Sequence, residues 1–225
     1  MKKQVEEGRL VILGVTQEQH ANRCQLFAQW QQFDWPILHD PINVLGLKLV
    51  ATLVAIDEHG ITRSTNPSPN DFEAEFLNKK FDSVDEPTTV SLTPDLDFAA
   101  LKIAAEKEPS AENWQTLGDS LAIWGGVQQS DKAIDAYQNS LQLEAHNHHV
   151  HFRLGVCLRT RHESPARQSD DFSKAVRQWE TALAGQPDQY IWRRRIQQYG
   201  PRLIKPYPFY DWVEQAREVV RSRGA

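Results

Sequence analysis

Cys24 and Cys157 are the chain's two candidate thiol nucleophiles, and they stand far apart in sequence. There is no Cys-x-x-Cys, and no paired spacing that suggests zinc. Arg23 precedes Cys24 and would favour its thiolate, which makes Cys24 a candidate for a displaced redox thiol. Cys24 also shares a helical stripe with Ala21 and Phe27, where a small packing residue belongs. Cys157, between Leu154 and Leu158, reads as core. His146, His148, His149 and His151 crowd into "HNHHVH", a cluster able to bind zinc or nickel. On a helix, His148 and His151 share a face and His149 points away; Glu144 is the only carboxylate at ligand spacing. A solvated turn entering a helix is the simpler reading, and no metal or other cofactor is expected. Asp57 and Glu58 precede Gly60 as a carboxylate pair of the kind used in acid–base catalysis. In a hairpin their ordinary task is turn formation, and Asp40 in "HDP" is similar. No Gly-rich phosphate loop, Ser/His/Asp order or HExxH is present.

The chain of 225 residues is 40% hydrophobic, enough for a real core. A net charge of −5 does not suggest a nucleic-acid or anionic-membrane binder. The basic runs at 193–195 and 217–223 lie in helical patterns and read as solvated faces. No apolar run approaches the roughly 20 residues that span a bilayer. The N-terminal apolar run, 10–15, is shorter than a signal peptide needs, so a cytoplasmic protein is expected, and the compartment argues against a Cys24–Cys157 disulfide.

Two grammars divide the chain. Up to residue 82 the signals alternate: a strand at 10–15, a helix at 18–32 that Thr16 can cap, a short strand in "WPILHDP" and a short crossover at 42–48. "LVATLVAIDEHGITR", residues 49–63, then reads as a strand, a turn at Gly60 and a return strand. Its aliphatic first half suits a strand buried on both faces. A helix at 70–81 follows, with Asn70 or Asp71 as cap and Phe72, Phe76, Leu77 and Phe81 as its apolar stripe. Residues 83–94, with two prolines, read as a linker. From 95 to 225 the pattern is helical and repeats. "SDKAIDAYQNSL" aligns with "FSKAVRQWETAL", and a Leu-Gly pair precedes each, Leu117-Gly118 and Leu154-Gly155. The glycines are 37 residues apart, and Ala133 and Ala175 are 42 apart, periods that mark stacked helix pairs.

These residues resemble the tetratricopeptide repeat. Trp114, Leu117, Gly118 and Leu121 match the first helix of one repeat, and Ala133 and Tyr137 its second. Leu154, Gly155, Leu158, Ala175, Trp179, Ala182 and Pro187 match the next. Small residues let two helices approach, and the aromatic fills the groove between them. A helix at 98–107 is a half repeat or cap, and one at 209–223 a terminal capping helix. By resemblance, such arrays bind peptides or protein partners on a concave face; Asn113, Lys132, Arg153 and Arg194 are the candidates for it.

The N-terminal half resembles the thioredoxin fold in its redoxin branch, the alkyl hydroperoxide reductases and thiol-specific antioxidants. "EEGRLVILGVTQEQH", "WPILHDP" and above all "VATLVAIDEHGITR" carry that resemblance, over about residues 4–82. Two departures matter. The family's first strand and its cysteine-bearing helix have no counterpart here. Ala51, followed by Thr52, also stands where the family places a cis proline. A cis bond before a residue other than proline costs about 2.5–4 kcal/mol, so a trans bond before Ala51 is expected.

The expectation is therefore an α+β two-domain protein: a truncated thioredoxin-like α/β module (1–82), the linker (83–94) and an all-α tetratricopeptide-like array (95–225). Its expected function is a non-catalytic interaction or scaffold protein. The alternative is a thiol oxidoreductase or peroxiredoxin-like protein whose Cys-x-x-Cys segment is missing from this chain. The expected partner is a protein or peptide on the repeats, with neither nucleic acid nor membrane. A truncated sheet leaves a strand edge to be covered by a partner, by the array or by a second copy.

Overall fold

The computed structural model describes residues 2–82, 96–197 and 212–224. The linker expected at 83–94 lies outside the described residues, as do the first residues of the helix expected at 209–223. The described elements run α1 (Lys2–Glu6), β1 (Gly14–Thr16), α2 (Ala21–Gln31), β2 (Ile37–His39), β3 (Val54–Ile56) and β4 (Thr62–Thr65). A π-helical turn, Glu73–Leu77, precedes α3 (Phe98–Lys107), α4 (Ala111–Trp124), α5 (Ser130–Leu143), α6 (His148–His162), α7 (Asp171–Gly185), α8 (Tyr190–Gln197) and α9 (Trp212–Ser222). The chain is mostly helical, with a small β component.

Contacts gather these elements into two compact units: Met1–Leu13 with Leu49–Asp95, and Gly14–Lys48 with Leu96–Ala225. This grouping differs from a single boundary near residue 82. Residues 14–48 have too little apolar periodicity to form a core of their own, and Ile42, 1% exposed, joins the core built by α4–α8.

In the smaller unit, β3 and β4 form an antiparallel hairpin, with Val54 opposite Thr65 and Ile56 opposite Thr62. Asp57 shapes its turn: Oδ1 accepts the N–H groups of His59 and Ile61, both at 2.9 Å, and Oδ2 the Nε of Arg63 at 2.6 Å. Gly60 sits at φ +79°, open to glycine at no steric cost. The strand is not buried on both faces. Leu49, Val50, Leu53, Val54 and Ile56 are all exposed, and only Ala55 is covered, because a two-stranded ribbon has nothing to lay over either face. The peptide bond between Val50 and Ala51 is cis, where the residue types predict trans; Thr52 Oγ1 donates to Leu49 O, 2.9 Å, across it. In place of a full helix at 70–81 there is the π-helical turn. Phe72 stacks on Phe76, which packs on Phe81, so the aromatic stripe gathers without the helix.

The larger unit holds a two-stranded parallel sheet, with Gly14 opposite Ile37 and Thr16 opposite His39. Among the described residues, the four strands thus form two separate two-stranded sheets rather than one. α2 starts three residues later than its predicted helix, with His20 rather than Thr16 at its N-cap.

The helices α3–α8 pack in sequence, each on the next. Side-chain caps start three of them, α3, α4 and α6: Asp97 accepts from the N–H groups of Ala99 and Ala100, Ser110 from Asn113 and Asn147 from Val150. In the pair α4–α5, a Cβ on Gly118 would lie 2.6 Å from Tyr137 Cε1. In the pair α6–α7, a Cβ on Gly155 would lie 2.5 Å from Trp179 Cδ1. Both rings are fully buried. α9 packs on α2: Trp212 stacks on Trp30 at 5.7 Å and meets Phe27 edge-on at 5.2 Å.

Candidate interaction surface

Helices α6 and α8 are contacted on one side by residues 17–48. The contacts are specific. The guanidinium of Arg195 on α8 donates to the carbonyls of Gln17 and Pro41 (2.8 Å to Pro41 O). The Gln19 amide donates to Thr160 Oγ1 at 3.1 Å and Val156 O at 3.4 Å on α6. His20 bridges Glu18 and Glu163, with Nε2 2.7 Å from the Glu163 carboxylate. The Tyr190 N–H donates to Lys48 O at 3.2 Å, and the Lys48 ammonium pairs with Asp188 at 2.7 Å. Beneath lies a cavity of about 330 Å³, with Gln19, His39, Ile42, Leu121, Val156 and Cys157 among its lining.

Charge inside this array is paired. Arg161 spans α5 to α7, holding buried Asp171 (2.6 Å) and exposed Asp131 (2.7 Å). Burial raises the Asp171 pKa, but the hydrogen bonds from Arg161 and the Gln168 N–H outweigh it and hold the carboxyl below its ordinary value. Asp119 accepts from the Tyr137 hydroxyl (2.8 Å) and pairs with Arg153 (2.6 Å). Its burial still leaves that carboxyl above its ordinary value. Burial lowers the His20 pKa, but hydrogen bonds to Glu163 and Glu18 more than compensate, so the imidazole is raised.

The residues expected to bind partners separate accordingly. Lys132 is exposed on α5. Arg194 is half-buried, with its guanidinium over the Tyr190 ring at 5.7 Å. Arg153 is not available as a surface contact, because it is buried against Asp119. The Asn113 amide donates to Glu108 O at 2.9 Å and secures the α3–α4 turn. The basic run 193–195 is not a uniformly solvated face either. Arg195 is 4% exposed, and it is the residue that holds residues 17–48. No apolar periodicity marks residues 17, 41 or 195 as partners; the one legible sign is that Arg195 lies one helical turn from the buried Trp192.

The candidate reactive groups are not assembled into a site. Cys24 lies in the first turn of α2, with Sγ 3.4 Å from Thr16 Oγ1; burial pushes its thiol up. Cys157 is buried, its thiol pushed up to about 12. His151 uses both ring nitrogens, on Gln178 Oε1 (2.5 Å) and Ala145 O (3.0 Å). His148 lies against Gly185, and His146 is exposed. Among the described residues, no three His, Cys, Asp or Glu side chains come together as metal ligands, and no helix is long and apolar enough to cross a membrane.

No protein-family model, curated protein or solved structure matches this chain.

Proposed function

We propose that this chain is a protein-interaction module whose binding element is a short array of tetratricopeptide-type helix pairs, and that its redoxin-like N-terminal half is redox-inactive. One observation carries the reading: the same device, a glycine beneath a fully buried aromatic ring, joins α4 to α5 and α6 to α7. A structural unit used twice in succession is what a stacked array needs. The thiols support the non-catalytic half of the reading. Both are raised by burial, and a raised thiol yields little of the thiolate that attacks disulfides and peroxides. Lys132, exposed on α5, is the accessible member of the proposed partner-binding set, and Arg194, half-buried over Tyr190, borders it. The exposed aliphatics of β3 offer a second surface, for another copy of the chain.

Two measurements test this. The purified protein should show no thiol-dependent reduction of insulin or peroxide. Activity abolished by Cys24→Ser would favour the oxidoreductase alternative. A partner captured by the full chain should be lost when Lys132→Glu and Arg194→Glu are combined; capture unchanged by the pair counts against the array as the binding element.

A further inference from the structure

We propose that the cavity lined by α4, α5, α6 and residues 39–42 is a binding site for a small, neutral, apolar ring molecule that carries a hydrogen-bond donor, and that Gln19 Oε1 is the acceptor that orients it. The proposal goes beyond the interaction-module reading and stands whether or not the array captures a protein.

The cavity has the size of a ligand site. Its volume is about 330 Å³. Small-molecule sites run from about 300 to 1,000 Å³, and an apolar cavity of about 150 Å³ already takes a benzene ring. The space here therefore suits roughly two fused rings. Its walls are mostly apolar: Ile42, Leu121, Ala133, Val156 and Cys157 line it and are buried. Ala21, Gly126 and Val127 also line it but are themselves exposed, so they form a mouth through which a molecule enters.

The polar groups ask for a donor. The Thr160 hydroxyl gives its one proton to Val156 O at 3.0 Å, so it can only accept from Gln19, 3.1 Å away. That fixes the Gln19 amide. Its nitrogen faces Thr160 and Val156 O, and Oε1 is left buried without a hydrogen-bond partner. Gln19 is only 7% exposed, and a buried unsatisfied acceptor costs free energy that a ligand's N–H or O–H would recover. His39, in the same lining, has Nε2 2.7 Å from Glu18 O. A carbonyl only accepts, so Nε2 donates and the neutral ring keeps an acceptor, not a second donor, at Nδ1.

The charge of the ligand follows from the walls. No Lys, Arg, Asp or Glu stands among the described residues that line the cavity. The Cys157 thiol, pushed up to about 12 by burial, is uncharged at neutral pH. A carboxylate, phosphate or ammonium entering here would leave water without a counter-ion, whereas a neutral ring with one N–H or O–H would not.

Indole, two fused rings with one N–H, is the probe, titrated into the full chain by calorimetry. Benzofuran has the same shape with an ether oxygen in place of the N–H, which sets a lone pair against Gln19 Oε1. It should bind at least about tenfold more weakly than indole. Indole-3-carboxylate should not bind. Gln19→Leu should erase the preference for indole over benzofuran, a change that general loosening of the fold would not produce. Val127→Trp, at the exposed mouth, should weaken both probes without lowering the Tm, and it decides the matter if Gln19→Leu does not fold. Four results overturn the proposal: no saturable indole binding at millimolar concentration, equal affinities for indole and benzofuran, a preference that survives in a folded Gln19→Leu chain, or binding that Val127→Trp leaves unchanged.

Discussion

Gly155 lies directly beneath the indole of Trp179, so close that even a methyl group would overlap the ring. The ring cannot give way. Its Nε1 donates to Phe152 O at 3.2 Å, and none of its surface reaches solvent. Gly155→Ala should therefore destabilise the α6–α7 pair by about 1–3 kcal/mol, the usual cost of overpacking. Thermal unfolding followed by circular dichroism should show a lower Tm, by roughly 2–4 °C per kcal/mol for a chain of this size. Gly118→Ala should behave alike through Tyr137. A silent Gly155→Ala would mean that the two helices are not held at this distance.

The glycine–aromatic contacts are legible in the sequence, because a Leu-Gly pair precedes each Lys-Ala-x-x-x-aromatic run, although the offset grows from 19 residues (Gly118 to Tyr137) to 24 (Gly155 to Trp179). So are α3 to α7, whose apolar residues recur at helical spacing. The N-terminal half was less so. Leu49, Val50, Leu53, Val54 and Ile56 have the composition of a buried strand, yet composition records only what a strand can tolerate, not what lies over it. Arg195 was misread for a related reason. An arginine within a basic run looks solvated, and its burial depends on carbonyls at positions 17 and 41, which any residue could supply. The pairing of α9 with α2 is likewise long-range: Trp212 is apolar on its own helix, but nothing in its neighbourhood names Trp30 as the ring it meets.

Arg161 separates two kinds of ion pair. Asp171 is wholly buried and Asp131 largely exposed, although both carboxylates lie within 2.7 Å of the same guanidinium. Removing a buried partner strands a desolvated charge, at a cost of about 3–5 kcal/mol. Removing an exposed one costs about 0–1 kcal/mol, because water screens the pair. Asp171→Ala should thus shift the urea midpoint far more than Asp131→Ala. Equal shifts would show that the depth assigned to the α6–α7 junction is wrong.

His20 makes the docking of residues 17–48 sensitive to pH. Its folded pKa is raised above the ordinary histidine value, since the hydrogen bonds to Glu163 and Glu18 outweigh burial. A raised pKa means that the protonated form is bound preferentially in the folded chain. The stabilisation is therefore complete below the unfolded pKa of about 6.5 and is lost as pH rises through the folded value. Glu163, held below its ordinary value, keeps its charge across that window. The stability difference between the unmodified chain and His20→Gln should accordingly be larger at pH 5.5 than at pH 8.5, measured by urea unfolding. A difference that grew with pH would contradict the ion pair.

The β3 edge yields the last expectation. Leu53, Val54 and Ile56 place exposed aliphatic side chains on a strand whose one described pairing is with β4. An apolar strand of this kind invites another strand, and natural sheets deter it with lysine at the edge. If two copies meet here, sedimentation velocity should show a concentration-dependent dimer for the unmodified chain. Val54→Lys with Ile56→Lys should then give a monomer whose helical unit unfolds at an unchanged temperature, because α3–α8 belong to the other compact unit. The two measurements together matter. A monomer whose helical transition also fell would point to general unfolding, whereas an unmodified chain that stayed monomeric up to high concentration would leave β3 without the proposed second copy.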